Sequence, residues 1–160
     1  MEKRESEYRK DQIERSEFRE PEKKPGWKNI TPSHEKLWIW QKANKLHLEI
    51  YETCKSLPRM ENYRLKQQIE NSSKSVKDNI AEGNESYYFA DKQKGLFIAR
   101  KEAAETQNHL RELEQKGYVK HQTIQDMIDE YEEVKRGING LIRRISERKE
   151  STQTKGAKRI

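Results

Sequence analysis

The sequence predicts an all-α protein, an up-and-down bundle of four helices. Between residues 31 and 148, apolar residues recur at steps of three and four, which is the spacing of one helix face. No segment shows the strict apolar and polar alternation of a half-buried strand. Pro58, Gly83 and Gly117 separate the periodic segments. The connections are therefore short, and helices joined by short connections pack as antiparallel neighbours.

The helical spacing is carried by four segments, at residues 35–56, 61–82, 87–116 and 122–148. Thr31, Pro32 and Ser33 supply capping and first-turn chemistry for the first helix. Pro58 ends that helix because proline lacks a backbone donor. Gly83 is placed to end the second helix as a left-handed cap.

The third and fourth segments set two further expectations. The predicted core stripe of the third helix includes both Leu96 and Phe97. In the fourth helix the apolar repeat stays in phase through Gly137 and Gly140, so both glycines are expected inside the helix rather than in a loop that clamps a nucleic-acid backbone. Each costs a helix about 1 kcal/mol, and close approach of another helix is the expected compensation.

Charge divides the chain into three parts. Of the 160 residues, 39% are charged and 31% hydrophobic, and the formal net charge is +6. Residues 1–30 form a charge-mixed arm that is predicted to be flexible, residues 31–148 form the bundle, and residues 149–160 form a basic tail. Because the chain has no apolar run long enough for a membrane span and no apolar segment at its start, we expect a cytoplasmic protein.

Residues that carry catalytic or metal chemistry are sparse. The single cysteine, Cys54, excludes an intramolecular disulfide and any Cys-based zinc site, and its place on an apolar stripe indicates an inert thiol. His47 also lies among apolar residues, which favours an uncharged, hydrogen-bonded side chain. Di-iron bundles need paired Glu-x-x-His motifs, whereas Glu105 and His109 are four residues apart without a second copy. We therefore expect no enzyme activity, no metal and no other cofactor.

The first helix begins with more apolar surface than one core requires. Residues 37–40 are consecutive apolar side chains, so they point around most of the helix circumference. Trp38 or Ile39 therefore needs a cover from outside the bundle. A subunit interface is the predicted explanation because aromatic anchors are enriched there. An isolated exposed apolar residue, which is ordinary on any protein surface, is the alternative.

Clusters of basic residues favour binding to nucleic acid, because phosphates are contacted by grouped lysines and arginines. Arg136 and Arg143 are one heptad apart and share a helix face. An ordinary solvated helix face explains any single cluster equally well. The candidate nucleic-acid-binding residues are Lys66, Lys74, Lys77, Arg100, Lys101, Lys135, Arg136, Arg143, Arg144, Lys155, Lys158 and Arg159.

Three segments also resemble a known family. Residues 37–43 (LWIWQKA) and 75–83 (SVKDNIAEG), and more loosely 97–105 (FIARKEAAE), are similar to the bacterial four-helix-bundle family of the 23S rRNA intervening sequence protein. The same fold includes the accessory variability determinant of diversity-generating retroelements. The sequence departs from the family pattern at residues 70–73 (ENSS), where a basic pair and alanines are common. This departure weakens a basic patch on the second helix and places hydroxyls on a face that should be buried.

The resemblance implies a non-enzymatic bundle that assembles into a ring-like homopentamer. It also implies binding to structured RNA or to an RNA–DNA hybrid through basic surface residues. In the retroelement branch the same bundle partners a reverse transcriptase, so the alternative function is that of an accessory subunit of such an enzyme. In that alternative the charged N-terminal arm is the docking element.

Overall fold

A computed structural model describes residues 30–157 of the chain, with side chains described as far as residue 152. It contains four α-helices: α1 (Trp38–Lys55), α2 (Leu65–Glu85), α3 (Phe89–Gln115) and α4 (His121–Ala157). Short 3₁₀ helices precede α1 (Ser33–Lys36) and α2 (Arg59–Glu61). No strand occurs between residues 30 and 157. The predicted all-α class is therefore confirmed.

The four helices enclose one core. α1 packs against α2, α2 against α3 and α3 against α4, and α4 returns to α1, whereas the diagonal pairs make no close backbone contact. Tyr131 and Leu46 are among the largest fully buried side chains. Full burial of a leucine side chain such as Leu46 contributes about 1.5–3 kcal/mol relative to its exposure to water. The arrangement is that of an up-and-down bundle.

Several helix ends differ from the sequence prediction. α1 begins at Trp38 instead of residue 35, and neither α1 nor the 3₁₀ helix before it has a side-chain cap, so the predicted capping by Thr31, Pro32 and Ser33 is wrong. α2 begins at Leu65 instead of residue 61, because residues 59–61 form a separate 3₁₀ turn. α4 continues to Ala157, past its predicted end at residue 148, since neither proline nor glycine interrupts residues 141–155. The first part of the predicted basic tail is thus helical. Residues 1–29 of the predicted arm and residues 158–160 of the tail lie outside the described residues.

The contact between α2 and α3 depends on two glycines, and it corrects the predicted cap. α2 passes through Gly83, which is buried, and ends at Glu85. A Cβ atom at Gly95 would lie 3.0 Å from the Gly83 Cα and 3.0 Å from the Asn79 carbonyl oxygen. A Cβ atom at Gly83 would lie 3.1 Å from the Lys92 carbonyl oxygen, so Gly83 contributes to close helix approach and does not adopt a left-handed backbone. Gly117, with a φ of 74°, is the glycine of the described residues that occupies the left-handed region, and it does so after α3.

α1 packs against α4 at Gly137. A Cβ atom there would overlap Ile39 Cγ2 and Trp38 Cζ2, and would lie 2.7 Å from Trp38 Cη2. Gly140, one turn later in α4, would meet no other atom within 4 Å. Both glycines lie inside the helix as predicted. The expected close approach of another helix is confirmed at Gly137 and is wrong at Gly140.

The structure separates the two residues that were assigned to a subunit interface. Ile39 is 3% exposed and belongs to the core of its own chain, where it packs over Gly137. Trp38 is 53% exposed although it also contacts Gly137. This corrects the assignment of Ile39, whose side chain is already covered. Of these two residues, Trp38 is the one whose side chain remains available for contact with another subunit.

A layer of hydrogen-bonded polar groups crosses the core. Ser72 and Ser73 of α2 lie on the buried face, as the sequence indicated. His47 Nδ1 lies 2.8 Å from Ser73 Oγ, and Thr106 Oγ1 donates to Ser72 Oγ at 2.9 Å. Burial lowers the pKa of His47, with a smaller contribution from the charge of Lys77. The prediction of an uncharged, hydrogen-bonded histidine is thus supported by its surroundings.

An ion pair joins the α1–α2 connection to the α3–α4 connection at one end of the bundle. Glu61 is 4% exposed, and its Oε1 accepts a hydrogen bond from Lys116 Nζ at 3.2 Å and one from the Tyr118 hydroxyl at 3.0 Å. The hydrogen bond from Lys116 lowers the pKa of Glu61, and burial opposes that shift. Glu61 therefore stabilises the fold in its ionised form.

We expect Gly137→Ala to destabilise the bundle, because its Cβ would displace Trp38 and Ile39. Overpacking of this kind costs about 1–3 kcal/mol. Gly140→Ala is the matched control in the same helix, and it should gain up to about 1 kcal/mol from helix propensity. Urea unfolding followed by circular dichroism measures both variants. Equal stabilities for the two would contradict the assigned contact.

We also expect Glu61→Gln to lower the free energy of unfolding at pH 7 and to matter less in acid. The folded-state pKa of Glu61 is below the ordinary value of 4.5, so its stabilisation is present above pH 4.5 and is lost as the pH falls through the folded-state pKa. The difference between wild type and variant should therefore narrow below pH 4.5. Urea midpoints measured across this range test it, with exposed Glu147→Gln as control. A difference that is independent of pH would refute the ionic role.

Candidate nucleic-acid interface

The register of α3 against α4 is set by three side-chain hydrogen bonds. They run from Gln93 Nε2 to Ser146 Oγ (2.7 Å), from Arg100 Nη1 to Asn139 Oδ1 (3.0 Å) and from Gln107 Nε2 to Glu132 Oε1 (2.9 Å). Successive bonds are one heptad apart on both antiparallel helices. A residue of α3 and a residue of α4 therefore lie side by side along this seam when their two residue numbers add up to about 239.

Four of the predicted basic residues lie on the outer surface of this helix pair. Arg100 and Lys101 of α3 and Arg136 and Arg143 of α4 are exposed. Within the described side chains, none of the four has a carboxylate at ion-pairing distance. We call these four residues the α3–α4 basic surface. The charges of Arg100, Lys101 and Arg143 are available to an external anion, whereas the charge of Arg136 also acts on Glu132 and Glu133 and lowers the pKa of both.

Lys135 lies on the same helix but its charge is compensated. Its Nζ donates to Glu132 Oε1 at 2.7 Å and to Gln107 Oε1 at 3.1 Å. Hydrogen bonds from Lys135 and Gln107, together with the charge of Arg136, lower the pKa of Glu132. Lys135 thus belongs to the α3–α4 seam more than to its outer surface.

The predicted lysine row on the second helix does not join the α3–α4 basic surface. α2 is diagonal to α4, and the two helices make no close backbone contact. Lys74 and Lys77 both bind Asp78, the latter at 3.4 Å. Although burial raises the pKa of Asp78, the hydrogen bond from Lys74 and the charge of Lys77 outweigh it and lower that pKa. Lys66 is half-buried near the start of α2.

The remaining candidates lie toward the carboxyl end of α4. Arg144 is exposed next to Arg143, but consecutive helical residues point in different directions. The backbone of Lys155 continues α4, and its side chain is not among those described. Lys158 and Arg159 lie outside the described residues, as does the N-terminal arm that the alternative function requires.

One aromatic residue of the surface was wrongly predicted to be in the core. Phe97 is 48% exposed, whereas its neighbour Leu96 is 1% exposed. The Arg100 guanidinium carbon lies 5.8 Å from the centre of the Phe97 ring. Adjacent helical residues point in different directions, so the pair itself signalled that one of the two side chains could face outward.

The described part of the chain can also be searched for a reactive thiol, a metal site and a membrane-spanning helix. Cys54 is buried, and burial raises the pKa of its thiol to about 11, which agrees with the predicted inert cysteine. No group of three or more His, Cys, Asp or Glu side chains between residues 30 and 152 is arranged to hold a metal ion. None of the described helices is both long enough and apolar enough to cross a membrane.

Comparison with known proteins agrees with the resemblance seen in the sequence. The family model described as 23S rRNA-intervening sequence protein matches residues 35–140. Among solved structures, a protein of unknown function from the S23 ribosomal protein family of Bacteroides thetaiotaomicron VPI-5482 is similar, with a TM-score of 0.61 and 24% identity. That alignment covers 66% of this chain and 95% of the other, and at this identity it shows the fold alone. No curated protein matches the chain.

Proposed function

Since the chain belongs to the 23S rRNA-intervening sequence protein family, we propose that it is a non-catalytic, RNA-binding scaffold that acts as a homo-oligomer. The observation that carries this proposal is the α3–α4 basic surface. Four exposed cations occur there on two neighbouring helices, and none of them has a carboxylate within ion-pairing distance among the described side chains. The family description connects this class of protein with 23S rRNA, and for that reason RNA is the proposed nucleic acid.

The chemistry of the surface suits phosphate recognition. Arginine presents several planar donors that match phosphate oxygens, and three of the four cations are arginines. Arg100 is held by Asn139 through one of its nitrogens, so its other donors can still bind an anion. Neutralising phosphates releases condensed counterions, so the affinity should depend strongly on salt.

Assembly into a ring, as a homopentamer, is part of the proposal because it would repeat a modest surface around one particle. Half-exposed Trp38 lies on the α1–α4 side of the bundle, where it contacts Gly137. The same side holds a groove of about 750 Å³ whose lining includes the exposed Leu48, the buried Met127 and four carboxylates. Two of the carboxylates, Glu49 and Glu130, pair with Lys45 of the same groove, and the lining keeps a net negative charge. An acidic groove on one side and a basic surface on another are complementary in a head-to-tail ring. Repeating the surface raises avidity through effective concentration.

We expect the double variant Arg136→Gln, Arg143→Gln to weaken binding to a single-stranded RNA and to flatten its salt dependence. Removing two phosphate contacts should make the slope of log K against log salt shallower by about 1.4, at about 0.7 per contact. Lys74→Gln, Lys77→Gln is the matched control, because it removes the same charge from lysines that bind Asp78. Fluorescence anisotropy across a salt series measures both. Equal slopes in wild type and both variants would reject the proposed function.

We expect Trp38→Glu to reduce the mass of the assembly in solution, because a charge would replace the half-exposed aromatic anchor. Tyr63→Glu is the control, since Tyr63 is 90% exposed and lies in the α1–α2 connection. Light scattering after size-exclusion chromatography gives the mass, and circular dichroism verifies that the variant is folded. A folded Trp38→Glu protein of unchanged mass would refute the assignment of Trp38.

A further inference from the structure

We infer that Phe97 is a stacking platform for an unpaired RNA base, so that the α3–α4 basic surface selects single-stranded segments over duplex. This inference rests on the proposed RNA-binding function and specifies its substrate class. Phe97 is 48% exposed on α3, and the seam register places it level with Ile142 and Arg143 of α4.

The ring is bordered by cations on both helices. Arg100, one turn further along α3, places its guanidinium carbon 5.8 Å from the ring centre. Its Nη1 is fixed to Asn139 Oδ1 at 3.0 Å. Lys101 and Arg143 are exposed beside the same seam. Phe97 therefore lies beside cations of the α3–α4 basic surface on both helices.

This combination is what single-stranded nucleic acid requires. Proteins that bind single strands pair a positively charged surface, which follows the phosphates, with aromatic rings on which bases stack. Guanidinium planes stack on bases as well, so Arg100 extends the platform that Phe97 provides. Inside a duplex the faces of the bases are covered by their neighbours, so away from the duplex ends only an unpaired base can lie on the ring. The positive charge of the surface argues for a polyanion as its occupant.

A second exposed ring with a cation nearby provides the contrast. Lys55 Nζ lies 4.9 Å from the centre of the Tyr51 ring. Lys55 is also paired with Glu52 at 2.7 Å, and the neighbouring groove is acidic. Phosphates are repelled from such a surface. Tyr51 and Phe97 are thus similar in exposure, at 46% and 48%, but opposite in their electrostatic surroundings.

The test uses the full chain and two probes, a fluorescein-labelled single-stranded oligouridylate and a blunt RNA duplex of the same length. We expect Phe97→Ala to weaken single-strand binding roughly tenfold, within the range found for loss of one stacked base. Phe97→Trp should retain the affinity. Tyr51→Ala, the matched control, should bind as wild type does. Duplex binding should be unchanged by Phe97→Ala.

The remaining outcomes separate this inference from the function on which it rests. If Phe97→Ala binds as wild type while Arg136→Gln, Arg143→Gln loses affinity, stacking is wrong and the proposed function stands. If neither variant changes binding, both proposals fail. Equal losses for single strand and duplex would overturn the selectivity. A change in the mass of the RNA-free assembly on Phe97→Ala would place the ring in a subunit contact and overturn the inference.

Discussion

Close backbone contact between helices, allowed by glycine, is the constraint on which the rest of the bundle depends. Gly83 and Gly95 bring α2 and α3 so near to one another that a single added carbon would meet backbone atoms. On the opposite side of the bundle, Gly137 accepts Trp38 and Ile39 of α1. These contacts set the helix separations within which the larger aliphatic side chains pack. Because interiors are packed as densely as organic crystals, such separations leave little freedom to the remaining side chains.

Polar contacts then select one register among those that apolar packing would allow. His47, Ser72, Ser73 and Thr106 satisfy one another across three helices. Each such bond contributes only about 1 kcal/mol net, but leaving a buried partner unpaired costs about 1–3 kcal/mol. A shifted register would leave these groups unpaired, and the free energy lost in that way exceeds the free energy that the native hydrogen bonds contribute. The heptad-spaced bonds along α3 and α4 act in the same way at the surface, and they align the cations that face outward.

Periodicity was sufficient to predict four helices, but not the role of particular residues within them. Gly83 is suitable both for a left-handed cap and for close helix approach, and only the packing of α3 distinguishes the two. Leu96 and Phe97 are equally apolar, so the stripe alone could not decide which one faces the core. The sequence also does not show which lysines and arginines are paired with a carboxylate. The nearby carboxylates that compensate some of them, such as Glu132 for Lys135, are set by tertiary structure as well as by helical spacing.

The hydrogen bond between Arg100 and Asn139 has a thermodynamic consequence for any ligand of this surface. A free arginine side chain loses about 2 kcal/mol of rotamer entropy when it becomes ordered. Here part of that loss accompanies folding, because Asn139 already restricts the guanidinium and the Phe97 ring lies beside it. A ligand therefore meets a partly preorganised group, and less of the interaction energy is consumed in ordering the protein. In this respect Arg100 differs from Lys101, for which the described residues provide no comparable restraint.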